Sequence, residues 1–64
     1  MGKEFTCETL AEYLEVSVYE VHKTNNGNYF AVFCEESDTY LVLDKYGNCL
    51  AVFDWLVDAL RYSG

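Results

Sequence analysis

The chain has 64 residues, enough for one small domain and too few for two. Its four Lys and Arg residues face eleven Asp and Glu residues, which gives a formal net charge of −7 at pH 7. Because Lys and Arg contacts to phosphates supply most non-specific affinity for nucleic acids, the chain is predicted neither to bind nucleic acid directly nor to attach to an anionic membrane.

The first predicted element is a helix from Cys7 to Glu15. Thr6 is placed to act as its N-cap, since the hydroxyl can accept a hydrogen bond from an N–H of the first turn. Phe5 and Leu10 occupy the two positions of a hydrophobic staple. The apolar residues of this segment recur at helical spacing and form a predicted inner face: Cys7, Leu10, Ala11 and Leu14.

The next segment, Val16 to Lys23, allows two interpretations. Together with the preceding helix, residues 9–23 have the apolar spacing of a helix-turn-helix, a motif that reads DNA. The three valines and the tyrosine of the segment, however, favour a strand. The Asn26-Gly27 pair that follows is a strong hairpin signal, and a hairpin needs a strand on each side. We therefore predict that Val16–Lys23 is a strand.

Three more strands and a closing helix are predicted after this hairpin. The strands are Asn28–Glu35, Thr39–Lys45 and Cys49–Phe53, and the helix, capped by Asp54, is Trp55–Tyr62. Sequential strands joined by short turns form an antiparallel meander, which usually keeps one face exposed. We predict a single α+β domain, residues 1–64, of order α-β-β-β-β-α. It is a small two-layer domain whose four-stranded antiparallel meander sheet carries the N-terminal and C-terminal helices on one face.

Tyrosine is unusually frequent for so small a core. The sequence contains six tyrosines, and segments such as YFAVF are apolar on both sides of a pleated strand. A two-layer domain covers only one side of its sheet, so the other side would remain an exposed apolar surface of the kind that marks an interface. We predict that Tyr19, Tyr29 and Tyr40 lie at such an interface, and that the chain forms a homodimer or docks on a partner through its sheet.

The three cysteines, Cys7, Cys34 and Cys49, have no paired spacing. An odd number without a CxxC motif indicates free thiols in a reducing cytoplasm rather than a disulfide scaffold. Together with His22 the cysteines supply the ligand types of a zinc site but not its spacing, and nothing in the sequence orients His22 for nucleophilic catalysis. We expect no metal, no cofactor and no enzymatic activity.

The acidic residues show the clearest pattern. Three glutamates recur at spacings of four and three, which places them on one face of the first helix, and three more acidic residues crowd the second turn. One interpretation is an ordinary solvated surface, since runs of charge are usually solvated. The other is a set of carboxylates that binds the Lys and Arg side chains of a basic protein partner. These carboxylates are Glu8, Glu12, Glu15, Glu35, Glu36 and Asp38.

Three functions follow from these patterns. The first is a non-catalytic protein-binding module that docks on a basic, nucleic-acid-binding host protein and blocks it. In size and charge the chain resembles phage and mobile-element inhibitors of host defence enzymes, although no motif carries that resemblance. The second is a helix-turn-helix DNA-binding regulator built on residues 9–23, whose recognition segment has only Lys23 as a cation. The third is a structural subunit that assembles with itself, its acidic surface maintaining solubility.

Overall fold

The computed structural model describes residues 3–64 as one open sheet with a helix at each end of the chain. The elements are helix α1 (Cys7–Leu14), a 3₁₀ turn (Val18–Glu20), strands β1 (Val21–Lys23), β2 (Phe30–Cys34), β3 (Thr39–Leu43) and β4 (Cys49–Phe53), and helix α2 (Leu56–Leu60). Each strand pairs antiparallel with its neighbour in sequence, in the order β1-β2-β3-β4. The predicted α+β class, element order and antiparallel meander are confirmed.

Helix α1 begins where the sequence predicts it. Thr6 is the N-cap, and it forms a reciprocal pair with Thr9. The Thr9 amide donates to Thr6 Oγ1 at 3.2 Å, and the Thr6 amide donates to Thr9 Oγ1 at 2.8 Å. The helix ends at Leu14 because Glu15 adopts a left-handed conformation with a φ of 59°. The chain then turns toward the sheet.

One face of the sheet packs against α1. The buried residues of this layer are Leu10, Ala11, Val21, Phe30, Val32 and Leu43. Phe30 and Val32 are two residues apart in β2, so their side chains point to the same side of the pleat. The half of this face nearer β4 is more open: Val52, which pairs with Leu41, is 54% exposed.

Helix α2 covers the opposite face of the sheet. Ala31, which lies between Phe30 and Val32 in β2, is buried in a second cluster with Val42 and Ala59. The prediction that both helices share one face is therefore wrong, and the domain has three layers rather than two. The physical reason is that β2 and β3 are apolar on both sides of the pleat, so removing both sides from water requires a helix on each.

The strand predicted at Val16–Lys23 is much shorter than expected. Only Val21–Lys23 pairs with β2. Before it, Val18–Glu20 forms a single 3₁₀ turn whose N-cap is Ser17, and the Ser17 amide donates to the Glu20 carboxylate at 3.1 Å. Residues 9–23 thus contain no second α-helix that could enter a DNA groove, and the helix-turn-helix interpretation is wrong.

The ends of the later elements differ from the prediction by one to two residues. Strand β4 has the predicted bounds, whereas β2 and β3 are shorter than predicted. Asp54 does not cap α2. The N-cap is Trp55, which makes no side-chain capping hydrogen bond.

The loop between β1 and β2 is organised by a buried threonine rather than by a two-residue Asn-Gly turn. The Thr24 hydroxyl donates to Asn26 Oδ1 at 2.8 Å and accepts from the Tyr29 amide at 3.2 Å. The neighbouring Asn25 amide donates to the Leu60 carbonyl at 2.7 Å. The loop therefore holds the end of α2 against the end of the β1–β2 hairpin.

The three-layer arrangement predicts that Ala59 and Val57 differ in their tolerance of a larger side chain. Ala59 has 0% exposed surface, whereas Val57 is 60% exposed. Ala59→Leu should lower the free energy of unfolding by about 1–3 kcal/mol, because extra methylenes overpack the layer between α2 and the sheet. Val57→Leu should change it by less than about 0.5 kcal/mol. Urea unfolding followed by circular dichroism measures both, and equal stabilities would contradict the packing of α2 on the sheet.

Candidate functional site

Charge is separated along the strand direction. In an antiparallel meander the start of β1, the β2–β3 turn and the end of β4 lie at one end of the sheet, and α1 also ends there. Six carboxylates lie at this end, which we call the acidic end, and no Lys or Arg of residues 3–64 accompanies them. The acidic end comprises Glu15, Glu20, Glu35, Glu36, Asp38 and Asp54.

The cations lie at the opposite end of the sheet, which we call the lysine end. Lys23 ends β1, and Lys45 follows β3. The segment that carries Lys3 joins them because the Phe5 amide donates to the Lys45 carbonyl at 2.7 Å. Arg61 follows α2, whose last turn is bonded to the β1–β2 loop.

Two charged side chains at the lysine end already have partners within the chain. Lys45 Nζ lies 3.6 Å from a Glu4 carboxylate oxygen. The Asp44 carboxylate accepts from the Asn48 amide at 2.8 Å and from the Tyr46 amide at 2.9 Å. These hydrogen bonds, that from Asn48 above all, hold the pKa of Asp44 below its ordinary value. Asp44 therefore stabilises the β3–β4 turn.

The six carboxylates predicted to bind a partner are all exposed, but they do not form one compact patch. The three in the β2–β3 turn lie together at the acidic end with Glu15. Glu8 lies in the first turn of α1, and Glu12 lies between Glu8 and Glu15. Because eight helical residues span about 12 Å, the glutamates of α1 form a row that runs along the helix into the acidic end.

The predicted interface tyrosines have different environments. Tyr19, in the 3₁₀ turn at the acidic end, is 87% exposed. Tyr29 and Tyr40 are instead half-buried on the α2 side of the sheet. The Tyr29 ring centroid lies 5.1 Å from that of Tyr62, and the Tyr40 centroid lies 5.1 Å from that of Phe33. The prediction of an interface at Tyr29 and Tyr40 assumed that this face of the sheet was bare. Helix α2 covers it instead.

An apolar groove opens at the acidic end on the α1 side of the sheet. It has a volume of about 330 Å³. Its apolar lining on this side of the sheet consists of Leu14, Val16, Val32, Cys34 and Leu41, and its rim consists of Glu20, Glu35 and Glu36. The sequence did not indicate this groove, because its walls come from the end of a helix, a loop and two strands whose approach depends on the tertiary fold.

The Cys34 thiol in this groove has an altered acidity. Hydrogen bonds from Ser37, from the side chain first and then from the backbone, lower the pKa of the thiol below its ordinary value of 9.0. All three cysteines are free, and Cys49 is the exposed one. Cys34 therefore provides a chemical probe of the groove.

The residues considered for metal binding do not converge. His22 pairs with Ala31, so its side chain belongs to the α2 face, whereas Cys34 lines the groove on the α1 face. Within residues 3–64, no three His, Cys, Asp or Glu residues are grouped so that they could hold a metal ion. A second concavity, of about 490 Å³, lies at the lysine end between the Phe5 segment and the two hairpins, where acidic and basic side chains are mixed.

No protein-family model matches the chain, and no curated protein or solved structure shows significant similarity to it. Neither helix within residues 3–64 has the length and apolar character required to cross a membrane.

The environment of Cys34 predicts a pH-dependent reactivity that Ser37 controls. Because the lowered pKa of Cys34 increases the thiolate fraction near neutral pH, Ser37→Ala should raise that pKa toward 9.0 and slow alkylation of Cys34 below pH 9. Iodoacetamide labelling followed by site-resolved mass spectrometry over a pH series measures the rates. Cys49 in the same samples is the internal control, and an unchanged Cys34 profile would contradict the role of Ser37.

Proposed function

We propose that the chain is a non-catalytic protein-binding module that docks on a basic partner through its acidic end. The observation that carries the proposal is the gathering of six carboxylates at one end of the sheet without any of the four cations. Exposed apolar side chains lie among them, including Tyr19 at 87% exposure and Val18 at 38%. Apolar contacts beside unpaired charges of one sign are typical of a protein interface.

The chemistry of carboxylates indicates which surface the acidic end fits. Carboxylates and phosphates are both anions that accept charge-assisted hydrogen bonds from Arg and Lys. A surface that binds nucleic-acid phosphates therefore also attracts an array of carboxylates. Occupation of that surface would exclude nucleic acid, which is the action of a small inhibitor encoded by a phage or a mobile element.

The separation of charge also orients the approach of such a partner. A field of one sign at one end of a small molecule raises the rate of association with a surface of opposite sign, and added salt weakens the effect. The lysine end, where Glu4 already pairs with Lys45, turns away from the partner. The proposal thus includes both a docking surface and a preferred orientation.

Charge reversal at the β2–β3 turn provides the test. The triple variant Glu35→Lys, Glu36→Lys and Asp38→Lys should abolish capture of basic proteins by the immobilised chain, because it replaces attraction with repulsion at the centre of the acidic end. Captured proteins are identified by mass spectrometry at low and high salt. Wild-type capture should fall as salt increases.

Two further variants show which part of the acidic surface binds the partner. The helix-row triple Glu8→Lys, Glu12→Lys and Glu15→Lys makes the same change in net charge and should weaken capture to the extent that the α1 row contributes. Asp58→Lys on α2 reverses a carboxylate that lies outside the acidic end and should leave capture intact. Capture that survives the turn triple, or that is insensitive to salt, would contradict the proposal.

Self-association is a second candidate function, favoured by a different surface. Trp55 and Val57 at the β4–α2 junction are 69% and 60% exposed, a pair of large apolar side chains open to solvent. The edge of β4 itself is irregular because of the bulge opposite Val42 and Leu43, which disfavours simple edge-to-edge strand pairing.

A homodimer built on this junction predicts a molar mass twice that of the 7.4 kDa chain in light scattering. Trp55→Lys should return the mass to that of the monomer, because it places a charge in the apolar contact. Tyr19→Lys, at a similarly exposed aromatic residue away from the junction, is the matched control. A wild-type mass equal to the monomer would eliminate this candidate.

A further inference from the structure

The groove at the acidic end supplies an apolar binding site that the carboxylates alone do not. We infer that it receives one large apolar side chain from a short basic segment of the partner, whose flanking Lys or Arg residues pair with the glutamates of the rim. This inference rests on the proposed function and deepens it, because it specifies the kind of segment that the acidic end recognises.

The lining of the groove requires an apolar occupant. Val32 forms part of its floor and is only 4% exposed, whereas Leu41 beside it is half-buried and accessible. Leu14 and Val16 stand on either side of the left-handed Glu15, so the end of α1 provides one wall. An apolar side chain placed here gains the free energy of removing both surfaces from water.

The size of the groove suits a side chain rather than a whole folded element. Its volume of about 330 Å³ lies at the lower end of the range of about 300–1,000 Å³ for ligand pockets. One or two side chains of a peptide can fill such a space. The apolar surface continues beyond Leu41 to the exposed Val52 in β4, which provides room for the backbone of the segment.

The rim determines the charge of the segment. Glu35 and Glu36 are exposed at the end of β2, and Glu20 stands across from them. The Ser17 amide holds the Glu20 carboxylate at 3.1 Å, which limits its rotation. Three carboxylates surround an apolar site, and no Lys or Arg of the described residues 3–64 lies at this end. Such a site complements a segment in which Lys or Arg flanks an apolar residue.

A second copy of the chain is a less suitable occupant. Its Lys45 Nζ lies 5.7 Å from the ring centroid of the exposed Tyr46. The charge of Lys45 is already shared with Glu4, 3.6 Å away. A heterologous basic segment with unpaired cations offers stronger complementarity to the rim.

Two synthetic peptides test the inference on the full chain. In the first, a central Leu is flanked by two Lys residues on each side; in the second, Ser replaces the Leu. Titration of the ¹⁵N-labelled protein by NMR at 0.15 M salt should show tighter binding of the Leu peptide, by about ten-fold or more, because burial of a Leu side chain contributes that factor. The chemical-shift changes that saturate as the Leu peptide is added should lie at Leu14, Val16, Cys34 and Leu41.

Matched variants locate the bound side chain. Leu41→Gln should remove the difference between the two peptides, whereas Val57→Gln, at an exposed position of α2 on the other face of the sheet, should retain it. Because Leu41→Gln could also destabilise the fold, protection of Cys34 from iodoacetamide by the Leu peptide, and not by the Ser peptide, provides a second readout on the wild-type protein.

Several outcomes would overturn the inference. Equal affinities of the two peptides, no binding of either peptide, or shifts confined to residues outside the groove would each do so. If the chemical shifts of the groove residues change as the protein concentration is raised without any peptide, a second copy of the chain is the occupant instead. If both peptides bind equally, lose affinity with salt and fail on the turn triple variant, the acidic end remains a site for basic partners and only the groove is rejected.

Discussion

The two central strands are apolar on both sides of the pleat, and both sides must be covered for the domain to fold. Phe30 and Val32 point to one side of β2, and Ala31 points to the other. Residues 3–64 contain only two α-helices with which to bury these surfaces. Each helix therefore packs on its own face, and the sheet becomes the middle layer of the domain.

This constraint leaves part of the α1 face uncovered. Helix α1 has only eight residues and turns away at the left-handed Glu15, so it covers the β1–β2 half of its face and leaves Leu41 and Val52 accessible. The groove is a consequence of that short cover. Because α1 is short, an apolar surface remains exposed beside the acidic side chains. The apolar surface and the carboxylates together define a candidate interface.

Local signals in the sequence predicted a large part of the fold. The Thr6 cap, the helix that follows it and the β4 bounds are all determined by neighbouring residues, and they are confirmed. One failure came from a local capping interaction that outweighed strand propensity, and another from packing between distant parts of the chain. Val18–Glu20 has the composition of a strand, but a capping box with Ser17 makes it a 3₁₀ turn. Tyr29 and Tyr40 appeared surplus to the core only because α2 was expected on the other face.

Residue type and short-range spacing were sufficient to predict the α+β order, the excess of acidic charge and the glutamate row on α1. Three features required the folded chain: the helices lie on opposite faces, the charges separate toward the two ends of the sheet, and Leu14, Val16 and Leu41 meet in one groove. The physical reason is that the hydrophobic effect is non-directional: it requires that both faces be buried, but which helix covers which face depends on how the whole chain packs.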